Sequence, residues 1–383
     1  MLTDVSPENA LKYLTLRLLG PGLAFLVALS GSSAGATQTQ PSVAANPAGS
    51  ASRDGQGDFD FNFGIWKTHV ERLLHPLTRA SSWAEYDGTA MVSKVWDGRA
   101  SLLELDVDGP GGHLEGFGLR LYDPQSHRWS LNWVSGAAGA FDQPMIGQFE
   151  GGRGEFVDQE LFSGKVILAR NSFSDISADF ARFEQAFSQD GARTWETNWV
   201  MTFARMPAGA ESSTPATTGG TASSVHDEQH DFDFAFGTWN THIRRLKDPL
   251  SGSTTWLEYD GVHTIRRVSG GRANLGELEA DGPAGHIEAL SARLYDPQTH
   301  LWRVSYGNSR DGSLSRPMVG QFKDGHGEFY GQETFKGRQV LVREVYSPLD
   351  SKRRHLEIAY SADGGRSWET NWSMVDTLVS AVR

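Results

Sequence analysis

Two kinds of side chain that carry chemistry recur at a fixed distance along this sequence. Histidines recur 173 positions apart, as the pairs His69/His242, His113/His286 and His127/His300. Imidazole is the commonest metal ligand in proteins, so these residues could bind a metal ion or haem. None of them forms a His-x-x-x-His spacing, although His69, His113 and His286 each lie two positions before a Glu. Alternation along the strand directs His69 away from Trp66 and Val70. We therefore predict no metal site and no cofactor.

Glutamates recur in the same register and could serve acid–base chemistry. They are Glu85/Glu258, Glu115/Glu288, Glu155/Glu328, Glu160/Glu333, Glu184/Glu357 and Glu196/Glu369. Glycosidases need two facing carboxyl groups about 5–9.5 Å apart, and the sequence places no two of these across a cavity. We expect ion pairs with Arg120/Arg293 or Arg170/Arg343 instead. Apart from Gly31–Gly35 in the stretch that reads as an export signal, the chain has no Gly-x-Ser-x-Gly motif, and it has no phosphate-binding Gly-x-x-x-x-Gly-Lys motif, which disfavours hydrolase and nucleotide chemistry.

The segments that must position these residues are themselves duplicated without a gap. The repeated segments are Asp58–Trp66 and Asp231–Trp239, Trp83–Gly88 and Trp256–Gly261, Arg120–Gln125 and Arg293–Gln298, and Trp195–Trp199 and Trp368–Trp372. A period this long exceeds the about 20–50 residues of a solenoid repeat or propeller blade. Each copy is therefore expected to be a whole domain, spanning 57–205 and 230–379. Residues 206–229 have the Ser/Thr/Ala/Gly/Pro composition of a flexible linker.

The beginning of the chain reads as an export signal. Lys12 and Arg17 precede an apolar stretch from Leu18 to Leu29, and Ala34-Gly-Ala36 fits a signal-peptidase site. The stretch is shorter than the about 20 residues that span a bilayer, although an uncleaved anchor is the alternative interpretation. We expect a signal peptide over 1–36, cleaved near Ala36, a disordered leader over 37–56, and a periplasmic or secreted protein.

Within each copy the hydrophobic pattern is that of strands. Leu114–Tyr122 and Arg128–Trp133 flank an Asp-Pro-Gln-Ser turn, and Gly147–Phe156 reads as strand, glycine turn, strand. No comparable stretch has the 3.6-residue period of a helix. Many short strands in one domain indicate a sandwich or a barrel, and a meander of hairpins favours the barrel. The predicted fold class is all-β, with two tandem antiparallel barrels.

The opening motif carries a resemblance to a known fold. Gly64-Ile-Trp66 and Gly237-Thr-Trp239 resemble the Gly-x-Trp signature of lipocalin-like barrels. The resemblance implies that the Trp closes one end of the barrel and that an Arg of the last strand packs over its ring. Arg205 is placed for this role in the first copy, whereas the aligned residue of the second copy is Leu378. Together with Leu-Tyr-Asp-Pro and Ser-x-Asp-Gly-x-x-x-Trp-Glu-x-Asn-Trp, the motifs resemble an uncharacterised bacterial lipocalin-like family, which implies no activity.

Another look-alike motif is best interpreted as structural. Ser361–Trp368 matches the Asp-box of sialidase propellers, and Ser188–Trp195 nearly matches it. A propeller would repeat the box in every blade, whereas here it occurs once per copy. The Asp is therefore expected to cap a tight hairpin by accepting backbone N–H bonds.

Composition excludes several classes of partner. The formal charge of −12 disfavours nucleic acids and anionic membrane surfaces. The absence of cysteine excludes disulfides, thiolate metal sites and a Cys nucleophile. Twelve Trp and 20 Phe supply rings for barrel interiors or ligand walls.

A barrel of about eight or more strands can enclose a small ligand, which makes binding the first functional hypothesis. Apolar residues share one strand face with an occasional Arg or Thr, as in Trp66, Thr68, Val70 and Arg72. The candidate ligand-binding residues are Arg72, Trp133, Arg170, Glu184 and Trp199 in the first copy, and Arg245, Tyr306, Arg343, Glu357 and Trp372 in the second. We predict a small apolar or amphipathic ligand in one or both barrels.

Two other hypotheses stay open. The first is an isomerase or hydrolase that uses a barrel-mouth Glu with an Arg, which a raised pKa on a buried Glu would favour. The second is an interaction module in which the linker lets two domains hold one partner. No nucleic acid and, after signal cleavage, no membrane partner is expected.

Overall fold

The computed structural model describes residues 54–136, 138–207 and 227–381. The predicted signal peptide, nearly all of the predicted leader and most of the predicted linker lie outside these residues. Within the described part of the chain, no helix is long and apolar enough to cross a membrane.

The first copy forms a closed antiparallel barrel, here called barrel 1. Its ten strands are β1 (Gly64–Leu73), β2 (Trp83–Val95), β3 (Ala100–Gly109), β4 (Gly112–Asp123), β5 (Arg128–Ser135), β6 (Met145–Glu150), β7 (Arg153–Phe162), β8 (Lys165–Ser174), β9 (Phe180–Ser188) and β10 (Glu196–Arg205). Each strand pairs with the next, and β10 pairs with β1 to close the barrel.

The second copy forms barrel 2 on the same plan. Its strands are β11 (Gly237–Leu246), β12 (Trp256–Val268), β13 (Ala273–Gly282), β14 (Gly285–Asp296), β15 (Leu301–Asn308), β16 (Ser313–Leu314), β17 (Met318–Lys323), β18 (His326–Phe335), β19 (Arg338–Pro348), β20 (Arg353–Ser361) and β21 (Glu369–Ser380). Pairing of β14 with β15 and of β11 with β21 closes the sheet. The predicted all-β class and the two tandem antiparallel barrels are confirmed.

Side chains alternate between the barrel interior and the outside along each strand. On β1, Trp66, Thr68 and Val70 are buried, whereas the intervening Lys67 is exposed and His69 is half-exposed. In the long strand β2, Gly88 permits the bend that closure requires, because a Cβ there would lie 2.1 Å from the Asp106 carbonyl oxygen.

The Asp-box hairpins have the predicted structural role. The Asp190 carboxylate accepts hydrogen bonds from the backbone N–H groups of Arg193 and Thr194, both at 3.0 Å. Asp363 accepts the equivalent bonds from Arg366 and Ser367. Bonds to the charged form stabilise it, and the pKa of Asp190 is lowered to about 2, chiefly by Thr194.

The two barrels pack against each other through the outer faces of β2–β5 and β12–β15. This inter-barrel core contains Val95, Trp96, Ala100, Leu102, Phe117, Leu119, Leu121 and Val134 from barrel 1, and Val268, Ala273, Leu275, Leu290, Ala292 and Leu294 from barrel 2. Most of its positions are equivalent in the two copies, so the contact has approximate two-fold symmetry. These strands are buried on both faces, and the barrels are joined by a hydrophobic core as well as by the chain between them.

Charged pairs at the inter-barrel core repeat the two-fold relation. Arg99 of barrel 1 contacts Glu288 of barrel 2, and the equivalent Arg272 of barrel 2 contacts Glu115 of barrel 1. Glycines permit close approach at its edge: a Cβ on Gly139 would lie 2.2 Å from the Asp296 Cβ, and one on Gly312 would lie 2.6 Å from the Asp123 nitrogen. Two barrels joined in this way do not act as independently moving modules.

Candidate functional site

Trp66 is fully buried in the barrel 1 core, and Arg205 stacks over its ring as the resemblance implied. The Arg205 guanidinium lies 4.1 Å from the ring centroid and donates hydrogen bonds to the carbonyl oxygens of Phe61 and Phe63 at 2.6 and 2.8 Å. A Cβ on Gly64, where φ is +120°, would lie 3.0 Å from Arg205 Nη1. The glycine of the motif therefore makes room for the arginine as well as supplying the turn.

Barrel 2 forms the same stacking contact with an arginine from a different strand. Leu378 pairs with Trp239 across β21 and β11, as the alignment anticipated. Arg354 of β20 takes the arginine's place, 4.1 Å from the Trp239 centroid, and donates to the Ala235 carbonyl oxygen at 3.0 Å. Position 378 therefore supplies no stacking arginine, and Arg354 makes the contact from the neighbouring strand.

Arg354 belongs to a buried charged cluster that has no counterpart in barrel 1. Its Nε and Nη2 donate to Asp376 Oδ2 at 2.8 and 2.6 Å, and His263 Nδ1 lies 3.1 Å from the same oxygen. All three residues are at least nine-tenths buried. The aligned positions of barrel 1 hold Ala181, Phe203 and Ala90. Sequence analysis missed this cluster, although charged residues alternating with Leu356 and Met374 on inward faces were a signal for it.

Burial sets the charge states of this cluster. Desolvation lowers the pKa of His263 against the opposing effect of Asp376, and the positive charges of Arg354 and Arg293 add to the lowering, so this imidazole is neutral at neutral pH. Asp376 is charged because His263 and Arg354 lower its pKa to about 2 against the opposing effect of burial. The cluster is thus a neutral imidazole beside an arginine–carboxylate ion pair.

We predict that barrel 2 loses stability as the pH falls below about 6.5, the ordinary pKa of histidine. The folded-state pKa of His263 is lowered, so the unfolded chain binds its proton first and acidification favours unfolding. Urea unfolding between pH 5 and 8 checks this. His263→Ala, which installs the barrel 1 residue, should flatten the profile. His242→Ala, at an exposed histidine, should leave it unchanged; an unaltered slope in His263→Ala would contradict the assignment.

A second arginine is buried inside each barrel at aligned positions. Arg120 lies 4.4 Å from the Phe59 centroid and donates to Asn62 Oδ1 at 2.7 Å. Arg293 lies between Phe232 and Tyr346, donating to the Tyr346 hydroxyl at 3.2 Å and to Asn274 Oδ1 at 2.9 Å. Among the described residues, neither arginine takes part in an ion pair within 4.0 Å.

Near Arg293, barrel 2 contains a buried carboxyl group. Glu344 is fully buried, and its Oε1 accepts a hydrogen bond from the Tyr306 hydroxyl at 2.8 Å. Burial raises the pKa of Glu344 and raises that of Tyr306 well above 10. The residue aligned with Glu344 in barrel 1 is Asn171, so the interiors of the two barrels differ in charge at this level too.

Six of the predicted ligand-binding residues lie on inner strand faces. Trp133 and Trp199 pack against the barrel 1 core, and Tyr306 and Trp372 pack against the barrel 2 core. Arg72 and Arg245 are exposed near the ends of β1 and β11, on the faces of Val70 and Ile243. The Trp133 ring lies over Gly116 and Gly118, where added Cβ atoms would lie 2.5 and 3.3 Å from it.

The other four predicted residues lie on outer faces, away from these interiors. Arg170 stacks over Trp195 at 4.4 Å, and Arg343 stacks over Trp368 at 5.0 Å. Glu184 forms an ion pair with Arg182 at 2.6 Å, and Glu357 accepts a hydrogen bond from Thr370 at 3.0 Å. Of the predicted Glu–Arg ion pairs with Arg120, Arg293, Arg170 or Arg343, none occurs among the described residues.

The inner face of β7 carries a carboxyl group that recurrence between copies did not reveal, Asp158, beside the recurring Glu160. Phe156, Asp158 and Glu160 alternate onto this face, and both Asp158 oxygens are buried without a hydrogen-bond partner. Burial, with the nearby charges of Glu160 and Asp142, raises the pKa of Asp158 to about 7. The aligned residue in barrel 2 is Gly331, so a search for repeated residues could not find Asp158.

The loop between β1 and β2 covers this end of barrel 1. Leu77 packs against a core that includes Phe162, Ile167 and Phe187. Its backbone N–H donates to Glu196 Oε1 at 2.5 Å, and its φ is +63°, which is costly for a leucine. Leu250 and Glu369 repeat this contact and conformation in barrel 2, with φ +59°. Both barrels thus hold a strained leucine at one end.

The structure contains two small cavities, one between the barrels and one inside barrel 2. Each has a volume of about 10 Å³, room for about one water molecule. One lies at the inter-barrel core, beside Phe117, Val134 and Arg272. The other lies inside barrel 2 and is lined by His263, Arg293, Tyr346, Arg354 and Asp376, with Leu356 and Met374.

One surface cluster has the side chains of a metal site. Asp106, Asp108 and His113 place a ligand atom each within 4.8 Å of one another. His113 Nδ1 lies 3.0 Å from Asp108 Oδ1, and the aligned His286 lies 2.9 Å from Asp281 in the same way. His69 and His242 also pair with aspartates on the outer faces, at 3.0 and 2.8 Å. The recurring histidines lie outside the barrel interiors.

No protein-family model and no curated protein matches the sequence. Solved structures are similar to it at low identity. An S-type phycobiliprotein lyase from Guillardia theta is 9% identical, with 41% of this chain and 100% of that chain covered and a TM-score of 0.29. A DUF3598-family protein of unknown function from Nostoc punctiforme is 12% identical, with 85% and 99% covered and a TM-score of 0.27.

A third similar structure, EF1p2_mFAP2b bound to DFHBI, is 9% identical, with 40% of this chain and 99% of that chain covered and a TM-score of 0.23. At these scores the fold assignment rests on the strand pairing and barrel closure described above.

Proposed function

We propose that barrel 1 binds a small amphipathic molecule at the end covered by the β1–β2 loop. The observation that carries this proposal is Asp158, whose two buried oxygens have no hydrogen-bond partner. A buried polar group without a partner costs about 1–3 kcal/mol, and more when it is charged. A ligand with an amine or another hydrogen-bond donor would remove that cost.

The apolar part of such a ligand has suitable walls on the same inner surface. Trp133 and Trp199 lie on inner faces of barrel 1 and are only partly buried. Phe162 and Phe187 have ring centroids 5.2 Å apart and belong to the same hydrophobic cluster as Leu77. Because Leu77 occupies this space, the ligand would enter by displacing it. Release of the left-handed backbone at Leu77 would offset part of the cost of opening the loop.

Barrel 2 differs at the residues that matter most for this proposal. Gly331 and Ser315 replace Asp158 and Asp142, whereas Glu333 aligns with Glu160. Glu333 also hydrogen-bonds Tyr360 and so has a partner within the barrel. The proposed amine-binding function therefore belongs to barrel 1.

Binding can be tested with two probes of equal length and different headgroup. Titration of the full chain with decylamine and with decanol, followed by tryptophan fluorescence, should show tighter binding of the amine above pH 7. The preference should weaken below pH 7 as Asp158 becomes protonated. Asp158→Asn should abolish it, and Glu333→Gln in barrel 2 should retain it. If neither probe changes the tryptophan fluorescence, the proposal is contradicted.

Asp158→Asn is also expected to stabilise the protein. The folded-state pKa of about 7 lies above the ordinary value of 3.8 for an aspartate, so ionisation of Asp158 lowers stability as the pH rises through this window. Allowing for solvent screening of a half-buried group, we expect a gain of about 1–2 kcal/mol at pH 8 and little gain near pH 4. Urea unfolding at both pH values checks this; equal effects at both would mean an ordinary pKa.

Acid–base catalysis at the same residues is a second candidate function. A carboxyl group with a pKa of about 7 suits a general acid or base at neutral pH, and Glu160 lies two positions along on the same strand face. An isomerase or hydrolase reaction would use this pair. Turnover of ester or glycoside substrates that Asp158→Asn abolishes while binding persists would support catalysis; binding without turnover would favour a binding protein.

We further propose that residues 1–36 direct export to the periplasm or beyond. The charged start, short apolar stretch and Ala34-Gly-Ala36 sequence support this. N-terminal sequencing of the protein from a bacterial periplasmic fraction should give a mature chain that begins near Thr37. An intact Met1 terminus on a membrane-bound protein would instead indicate an anchor.

A further inference from the structure

Arg120 is a buried cation inside barrel 1 with no acid beside it. The residue is 3% exposed, donates to Asn62 Oδ1 at 2.7 Å and packs against the rings of Phe59 and Phe173. Burial lowers its pKa to about 9, so the guanidinium is charged at neutral pH. It forms no ion pair with any residue that the structure describes. A buried charge without a counter-ion is costly, which makes Arg120 a candidate contact for an anionic group.

Two further hydrogen-bond donors beside Arg120 have no partner. Ser101 lies directly opposite Arg120 on the neighbouring strand β3, and its hydroxyl lacks a hydrogen bond within the described part of the chain. The same is true of the Nδ2 group of Asn62, whose oxygen accepts the bond from Arg120. Both residues are fully buried. A guanidinium, a hydroxyl and an amide N–H without an acceptor together form a complement to a carboxylate.

Barrel 2 supplies an acid and an acceptor at the aligned positions. Glu344 is the counterpart of Asn171, and Asn274, whose Oδ1 accepts a bond from Arg293 at 2.9 Å, is the counterpart of Ser101. Burial alone would lower the pKa of Arg293, but the neighbouring tyrosines and Glu344 raise it. Glu344 thus provides in barrel 2 the negative charge that barrel 1 lacks.

The order of residues along β8 places Arg120 and Asp158 at two ends of one inner surface. Arg120 packs against Phe173, and Asp158 lies opposite Ala169. Asn171 lies between Phe173 and Ala169 on the same face. Four residues of a strand cover roughly 13 Å. One elongated molecule can therefore reach both charged side chains.

This inner surface is incompletely covered at the level of Asn171. Gln185 lies opposite Asn171, and Trp199 lies opposite Gln185 on the next strand. All three residues are only partly buried. The interior is therefore open to small molecules at this level, and the Trp199 ring offers an apolar wall for a hydrocarbon chain.

We propose that Arg120, Ser101 and Asn62 bind the carboxylate of the barrel 1 ligand. The ligand class is then an elongated ω-amino acid, with its carboxylate at Arg120 and its amino group at Asp158. The carboxylate supplies the charge that Glu344 supplies in barrel 2 and accepts charge-assisted hydrogen bonds from the guanidinium. The position of the amino group rests on the proposed function above, whereas the carboxylate subsite rests on the residues around Arg120.

Probes of equal chain length test the two halves separately on the full chain. At pH 6, where Asp158 is protonated, decanoate should bind about tenfold more tightly than decanol by tryptophan fluorescence. Equal affinities would overturn the carboxylate subsite, whatever the result for decylamine, which tests Asp158 alone. At pH 8, ω-aminodecanoate should bind more tightly than both decanoate and decylamine. If it does not, the two subsites do not hold one molecule and the ω-amino acid class is overturned.

Matched variants distinguish a carboxylate subsite from an arginine that only packs. Asn171→Glu introduces the acid that barrel 2 has at this position and should remove the preference for decanoate over decanol. Arg120→Met should remove it too, whereas Arg293→Met, the aligned change in barrel 2, should retain it. Survival of the preference in both barrel 1 variants would overturn the proposal. Should these variants fail to fold, Ser101→Ala, which deletes one hydroxyl, should reduce the ratio of the two affinities, and an unchanged ratio would overturn the proposal.

Discussion

Replacing Arg354 with alanine is expected to lower the free energy of unfolding of barrel 2 by about 3–5 kcal/mol. Removal of one partner of a buried ion pair leaves the other charge uncompensated, here Asp376, which is 1% exposed. The change also removes the group stacked 4.1 Å over Trp239 and the hydrogen bond to the Ala235 carbonyl oxygen. Urea unfolding monitored by fluorescence and circular dichroism measures this loss.

The arrangement in barrel 1 suggests substitutions that should restore the stability of this variant. Barrel 1 stacks its tryptophan with Arg205 and has Ala181 and Phe203 at the positions of Arg354 and Asp376. The triple variant Arg354→Ala/Asp376→Phe/Leu378→Arg copies that arrangement into barrel 2. We expect it to recover most of the lost stability, because the stacking returns and no buried carboxylate is left alone.

The double variant Arg354→Ala/Asp376→Phe is the control, since it lacks both the buried charge and the stacking arginine. It should fall between the single and triple variants in stability. If the triple variant is no more stable than this control, the arginine stacking contributes little, and the cost of Arg354→Ala comes from the stranded Asp376 alone.

Leu102→Ala combined with Leu275→Ala is expected to separate the unfolding of the two barrels. These equivalent residues are 0% and 1% exposed in the inter-barrel core. Each truncation should cost about 2–5 kcal/mol through lost burial and a residual cavity. We expect the unmodified protein to unfold in one calorimetric transition and, because the loss falls on the contact between barrels, the variant to unfold in two.

The neighbouring Leu103 provides a control one position away. It faces the interior of barrel 1, is 6% exposed and belongs to the barrel 1 core. Leu103→Ala should lower Tm and keep one transition, because the contact between barrels is intact. A single transition in the Leu102→Ala/Leu275→Ala variant as well would show that this contact does not couple the two unfolding reactions.

The architecture was predictable because it depends on repeated local signals. Alternation, glycine turns and the 173-residue period identified two antiparallel barrels, and the Gly-x-Trp motif located the Arg205 stacking. The inner or outer direction of a given strand face was harder to predict. Arg170 and Glu184 alternate regularly with apolar residues, yet they point outward, because periodicity alone does not say which of two faces meets the core.

The features that distinguish the two copies escaped prediction for a different reason. Asp158 and Arg354 have no aligned counterpart of the same type, so a search for recurring residues passes over both. In barrel 2, Arg354 on β20 takes the role that Arg205 on β10 has in barrel 1. This replacement by a residue of the neighbouring strand can be recognised only when the strand pairing is known. The inter-barrel core did have a local signal: Leu102 and Leu103 are consecutive apolar residues that face opposite sides of β3 and are both buried.

The shared core has a consequence for how the protein is made. The chain emerges from its amino end, so barrel 1 is complete before the strands of barrel 2 exist. During that interval Trp96, Leu102, Leu119 and Leu121 form a surface that two nascent chains could use to pair with each other. The chain segment between the two barrels keeps the second half of the same chain at high local concentration. This favours formation of the inter-barrel core within one molecule over pairing between molecules. Slowed synthesis between the two halves would shift that competition towards aggregation.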